Sequence, residues 1–326
     1  MKLPHRHFLH LAAGAAALPC VSRSALAQTY PNKPVRLVVG FPAGGVVDVF
    51  ARLIGQWLSE RLGQQIVVEN RTGAAGNLAT ESVAKAAPDG YTLLQLTLTN
   101  AINATLFERL NFNFPADIAP VASIFRGSSS IVVVNPNFSV KTIPELIAYA
   151  KANPGKVTMA SAGIGSVQHI YGELFKMMAG VDLLHVPYRG GPQALTDLIS
   201  GQVQIIFDPL ANSVEHVKAS RLRALAVTST KRSALLPDVP TVSEFVSGYD
   251  ASGWQGIGAP KNTPAAVVNR LNREINAGLA DPKIKQRFAE LGYEPYVTTP
   301  AEYSTFVAGE TQKWGRVIRT ANIKAE

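Results

Sequence analysis

The sequence predicts an α/β protein of two lobes with a cleft and hinge between them, and three observations predict it. From Val35 onward, short β-branched runs alternate with segments of helical periodicity, the sequence form of a parallel sheet covered by helices. The chain has 326 residues, enough for two domains at about 150 residues each. Two stretches, 121–135 and 222–259, pass from one such cluster to the next with no helical pattern between, so they read as crossings between lobes. Lobe 1 is then discontinuous, 28–126 plus 253–326, with lobe 2, 127–252, inserted in it.

The elements follow in order. Residues 35–39 are a buried-strand run, Gly40-Phe41-Pro42-Ala43-Gly44-Gly45 a loop, and Val47, Phe50, Ala51, Ile54, Leu58 and Leu62 recur at helical spacing. Strand, glycine loop and amphipathic helix form the opening unit. Further strands are expected at 66–69, 92–96, 131–135, 157–160, 203–207, 222–228 and 256–259. Thr142-Ile143-Pro144-Glu145 and Thr299-Pro300-Ala301-Glu302 read as capping boxes, and Thr263-Pro264 as a cap before a proline at the first helical position. Gly180, Gly201 and Gly292 read as helix stops.

Composition narrows the class. Hydrophobic residues make up 47% and charged residues 17% with no low-complexity tract, which is a folding rather than a disordered balance. The formal charge is +8; Lys2, Arg6 and Arg23 carry three of these charges in an acid-free segment, 1–27, leaving +5 for the rest. That segment reads as a cleaved secretory signal: a basic start, an apolar run over 8–21, and Ala25-Leu26-Ala27 as the small-x-small cleavage site. The run is shorter than the roughly 20 residues a spanning helix needs. Cleavage would remove Cys20, the only cysteine, with His5, His7 and His10. An exported, periplasmic chain whose stability rests on core burial rather than disulfides is the expectation.

Catalytic signatures are largely missing. Residues 40–45 sit between strand and helix as a phosphate loop does, but no Lys-Ser or Lys-Thr follows, and Gly163-Ile164-Gly165 lacks the third glycine of a dinucleotide fingerprint. There is no G-x-S-x-G elbow. His169, His185 and His216 have no zinc-site spacing, and the scattered basic residues are not interleaved with aromatics as a nucleic-acid surface would be. No catalytic residue, metal or cofactor is expected.

What remains is a set of small, polar turns after strands: 41–45, 97–103 and 161–166. The first and third lead into helices whose free N–H groups favour an anion, and α/β sheets bind ligands at the carboxyl ends of their strands. Converging, such turns would cradle a carboxylate; singly, their glycines permit a tight bend. Asp48 reads either as a dipole-complementing acid or as a pocket wall. His169 reads either as a structural histidine or, with Ser166 at the same helix start, as a ligand contact. Asp208 either lines the cleft or begins an Asp-Pro turn, and Trp254 and Phe41 read as core or hinge packing.

A longer series carries a resemblance: Phe41-Pro42-Ala43-Gly44-Gly45-x-x-Asp48-x-x-Ala51-Arg52, Val68-Glu69-Asn70-Arg71 with Gly73 and Gly76-Asn77, and Ala87-Pro88-Asp89-Gly90-Tyr91-Thr92-Leu93. It continues through Gly165-Ser166-x-x-His169, Val186-Pro187-Tyr188-Arg189-Gly190, Leu222-Arg223-Ala224-Leu225-Ala226-Val227-Thr228 and Leu236-Pro237-Asp238-Val239-Pro240-Thr241. It resembles the Bug family, the extracytoplasmic solute receptors of tripartite tricarboxylate transporters, over nearly the whole mature chain. The resemblance implies a periplasmic-binding-protein fold, type II-like, closing on a small carboxylate without catalysis. It implies ligand contacts from Phe41, Pro42, Ala43 and Gly44 in one lobe and Ser161, Ala162, Gly163, Gly165 and Ser166 in the other, with Asp48 organising the pocket; His169 and Asp208 join the expected ligand-binding set on the readings given above. Thr99 and Asn100 are added, although the family commonly has a histidine where this chain has Asn100 and a proline at Ala104. A monomer that binds an organic acid and meets a membrane permease is the leading expectation. A sensing partner of a membrane signalling protein uses the same pocket, and the missing nucleophile and metal sets argue against a hydrolase or isomerase.

Overall fold

The computed structural model describes residues 30–325, so the expected signal segment, Cys20, His5, His7 and His10 lie outside the described residues. In chain order the first elements are β1 (Val35–Val39), α1 (Val46–Leu62), β2 (Ile66–Asn70), α2 (Asn77–Ala84), β3 (Thr92–Thr97), α3 (Leu98–Leu106), α4 (Phe114–Asp117) and β4 (Ile118–Val134). Next come α5 (Ile143–Ala152), β5 (Thr158–Ser161), α6 (Val167–Ala179), β6 (Leu184–Pro187), α7 (Gly191–Ser200), β7 (Ile205–Pro209), α8 (Leu210–Lys218) and β8 (Arg223–Val227). The chain closes with β9 (Ser252–Pro260), α9 (Ala265–Ala280), α10 (Pro282–Glu290) and α11 (Pro300–Thr320).

These strands make two sheets that share β4. The first has the order β2-β1-β3-β9-β4, and the second runs β8-β4-β7-β5-β6. The β-branched run of β1 buries four of its five side chains between β2 and β3, parallel to both, while α1 lays Phe50, Ala51, Ile54 and Leu58 on the sheet. β4 belongs to both sheets because its first part, up to Ser129, pairs with β9 and its last part, Ser130 to Val134, pairs with β7 and β8. Three register shifts along the β9 pairing bend it from one sheet into the other.

The crossings are therefore strands, and this corrects two expectations. The sheets are mixed rather than parallel, because β4 and β9 run antiparallel to each other and each pairs antiparallel with its own lobe, β9 with β3 and β4 with β7. The expected strand at 131–135 is only the end of a 17-residue one. β6, with the sequence LHVP, was not expected: it is four residues long, half exposed at the sheet edge, and carries a polar His185. Residues 97–103 are not a turn, since α3 begins at Leu98 under a Thr97–Asn100 capping box. Thr263 does not cap α9; its hydroxyl donates to the Pro260 carbonyl, and Pro264 occupies the cap position. The reciprocal box at Thr299 and Glu302 forms as expected, whereas Glu145 reaches back to the Lys141 N–H rather than to Thr142.

One apolar cluster joins the sheets, from Leu94 and Leu96 on β3 to Val132 on β4 and Phe207 on β7. Helix α11 bridges it, stacking Trp314 on Tyr171 of α6 with ring centroids 5.5 Å apart. The buried Glu310 carboxylate accepts from both Trp254 Nε1 (3.1 Å) and Trp314 Nε1 (2.9 Å), so Trp254 is core packing beside the crossing. No helix among the described residues is long and apolar enough to cross a membrane.

Candidate functional site

Strand directions alone bring two loop clusters together. β3 ends where Thr97 pairs with Gln255, itself opposite Phe125 of β4, and β7 ends where Pro209 pairs with Ser130 of β4. The carboxyl edges of the two sheets thus face each other across the stretch of β4 from Phe125 to Ser130, the location at which open α/β sheets bind ligands.

Each edge presents one glycine turn, and the two are built alike. In the first, Gly44 has φ +80° and Gly45 is the extended N-cap of α1; in the second, Gly165 has φ +76° and Ser166 is the extended N-cap of α6. The residue at the third helical position then reaches back to the glycine. Gly44 N–H donates to Asp48 Oδ2 at 2.9 Å, and Gly165 N–H donates to His169 Nδ1 at 3.1 Å. Ser166 Oγ accepts from the His169 N–H, and Ser161 Oγ accepts from the Gly163 N–H at 3.1 Å. Gly44, Gly163 and Gly165 therefore spend their N–H groups inside their own turns. The donors without intrahelical acceptors are those of the first helical turns, Val46 to Asp48 and Val167 to Gln168.

Asp48 is a buried hub. Burial opposes its ionisation, but bonds from Arg52 Nε (2.8 Å), Gly44 N–H and Asn70 Nδ2 (2.8 Å) outweigh that and hold its carboxyl below the usual range. Asn70 Nδ2 also donates to the Phe41 carbonyl, tying the turn to β2. Phe41 is half-buried, and Pro42, Ala43 and Gly44 are exposed at the edge.

In the second turn, Ser161 is buried and Ala162, Gly163, Gly165 and Ser166 are half-buried. Its floor is a histidine pair: His169 and His185 stack with centroids 3.6 Å apart and planes 4° from parallel. His185 Nε2 lies 2.6 Å from Ser161 Oγ. Burial, then the neighbouring His185 and Lys176, push His169 down to about 3; burial and Lys176 push His185 down to about 4. Both rings are neutral at pH 7. Asp208 is buried at the end of β7, where burial raises its pKa against bonds from Ser213 Oγ (2.7 Å) and Gln168 Nε2 (3.4 Å).

The remaining expected residues sit on α3. Thr99 is half-buried in its first turn. Asn100 uses both ends of its amide internally, Oδ1 accepting from Thr97 N–H and Nδ2 donating to Thr80 Oγ1, each at 2.8 Å. Four residues not expected at the site contact the expected ones: Arg52 and Asn70 bond to Asp48, His185 stacks on His169, and Glu173 Oε1 lies 3.8 Å from His169 Nε2. Arg52 and Asn70 stood inside the motif read as family resemblance. For His185 the signal was a polar ring on a short strand, which is not enough to recognise.

The match that decides the family covers residues 50–323: the family model is that of the tripartite tricarboxylate transporter family receptor. The chain belongs to this family. It is a solute-binding receptor rather than an enzyme. BugT of Bordetella pertussis is 37% identical over 304 residues, 91% of this chain and 92% of the relative. A structure of Rhodopseudomonas palustris described as "R. palustris Rpa4515 with adipate" is 36% identical with TM-score 0.75, covering 90% of this chain and 99% of that one. MatC of the same organism, with bound malate, is 31% identical with TM-score 0.71, covering 89% and 100%. Receptors of this family share the two-lobed α/β fold seen here.

Proposed function

We propose that this receptor is periplasmic, captures a small organic carboxylate between lobes 28–126 plus 253–326 and 127–252, and presents it to the membrane permease of a tripartite tricarboxylate-type transporter. The observation that carries the reading is the pair of like-built turns, each opening onto the amino end of a helix on facing sheet edges. Helix-start N–H groups with the dipole behind them suit a carboxylate, and Arg52 offsets the Asp48 charge that would otherwise repel it. The crossing pairs Ser128–Gly253 and Ser129–Ser252 support the lobe boundaries.

The proposed contacts are Phe41, Pro42, Ala43 and Gly44 from the first turn and Ser161, Ala162, Gly163, Gly165 and Ser166 from the second, with Thr99 beside them. Asp48, Asn100, His169 and Asp208 shape the walls. The adipate and malate of the similar proteins support trying dicarboxylates first. Disrupting the gene tests the transport role. Loss of uptake of the bound acid, with transporter gene expression unchanged, is the expected result; normal uptake with lost induction would point to a sensing role instead.

A further inference from the structure

We propose that His169 and His185 are positioning residues, a stacked pair that holds the second turn in its binding shape from behind, His169 through the Gly165 N–H and His185 through the Ser161 hydroxyl. The inference rests on the reading of that turn as the carboxylate cradle of lobe 2.

The first turn supplies the comparison. Asp48 Oδ2 and His169 Nδ1 stand the same number of bonds from their backbones, at the same helical position, and accept from the same left-handed glycine. The acceptor is thus a shared part of the design, while its charge differs. In lobe 1 the carboxylate is balanced by Arg52. Lobe 2 places no arginine at the equivalent position, which is Glu173, so an uncharged acceptor does the same job without repelling an anion.

The His169 ring has one consistent tautomer. Because Nδ1 accepts from Gly165, the proton of the neutral ring is on Nε2, which lies 3.8 Å from Glu173 Oε1. Lys176 Nζ sits 3.0 Å from that same oxygen and 3.8 Å from Asp182. The groups facing His169 are therefore His185 from β6 and Glu173 and Lys176 from its own helix. A second positive ring 3.6 Å away would be repelled. Protonation of Nδ1 would turn it from acceptor to donor and break the Gly165 bond.

The test uses the mature chain with His169→Leu, which removes the acceptor, and His169→Asn, which restores one where Asp48 has its own. Hydrogen exchange of the Gly165 amide is expected to speed up at least tenfold in His169→Leu and to stay within about threefold of wild type in His169→Asn. Two-bond proton–nitrogen NMR correlation on wild type should show His169 protonated at Nε2 alone at pH 7. Binding of adipate and malate by calorimetry should weaken about three- to tenfold in His169→Leu, the scale of one hydrogen bond. Unchanged Gly165 exchange in His169→Leu, equal acceleration in both variants, or a proton on Nδ1 overturns the positioning role. If exchange and tautomer behave as expected while wild type binds neither acid nor any other carboxylate, the carboxylate reading fails instead.

Discussion

Gly165 donates its N–H to His169 Nδ1 across four residues, repeating in lobe 2 the bond that Gly44 makes to Asp48 in lobe 1. The two glycines differ in what surrounds them. A Cβ on Gly165 would fall 2.3 Å from Leu106 Cδ2 of α3, whereas one on Gly44 meets nothing within 4 Å. Gly165→Ala therefore combines a left-handed backbone with a steric overlap and should cost about 2–3 kcal/mol, against about 1 kcal/mol for Gly44→Ala. Urea unfolding of the two variants checks the ranking, and equal losses would contradict it.

The Asp48 hub predicts a split between two substitutions. Asp48→Asn keeps an acceptor for Gly44 but loses the one that Asn70 Nδ2 uses, and should cost about 1 kcal/mol, since the partner Arg52 is half exposed and the ion pair is worth little. Asp48→Ala leaves the Gly44 N–H and an Asn70 donor unpaired and should cost about 2 kcal/mol. The melting temperatures of the two should separate clearly; an alanine variant as stable as wild type would remove the hub from the account.

Acid sensitivity follows from the histidine pair. Both rings are depressed in the fold, to about 3 and about 4, while an unfolded histidine titrates near 6.5. Below pH 6.5 the unfolded chain takes up protons that the native one refuses, so stability is complete above that pH and falls as pH drops toward 4. His169 contributes a slope that approaches about 1.4 kcal/mol per pH unit in the middle of that window, and the more exposed His185 contributes less. Denaturant midpoints measured between pH 7 and 4.5 should decline, and the decline should shrink in His185→Leu. A flat profile in wild type would contradict the buried neutral pair.

Glu310 predicts how firmly α11 is held to the crossing strand β9. It accepts from two buried indoles, one on β9 and one on α11. Glu310→Leu strands both and should cost about 2–4 kcal/mol, whereas Glu310→Gln retains a carbonyl acceptor and should cost less than half as much. Chemical unfolding followed by tryptophan fluorescence reads both the loss and its site.

The alternation of β-branched runs and helical periods made the α/β class legible, and Val35–Val39 with its glycine loop and helix appears as read. The crossings were legible as helix-free stretches, but not as one 17-residue strand shared by two sheets, because strand length and pairing partner depend on tertiary contacts rather than on local pattern. In the site, Asp48 and His169 were visible as polar residues at helix starts. Their shared job was not, since a Gly-x-x-x-acceptor spacing becomes a bond only when the glycine turns left-handed. His185 stayed hidden because a stack between a strand and a helix has no sequence period.

The most direct test of the central claim is a thermal-denaturation screen of the purified mature protein against mono-, di- and tricarboxylates, with neutral sugars and lysine as controls. A ligand at 100 times its dissociation constant adds about 2.7 kcal/mol, which raises the melting temperature by roughly 4–5 °C for a chain of this size. The account predicts that at least one carboxylate, first among them adipate and malate, produces that shift and that the controls do not. A shift with a sugar or lysine and with no carboxylate would contradict it.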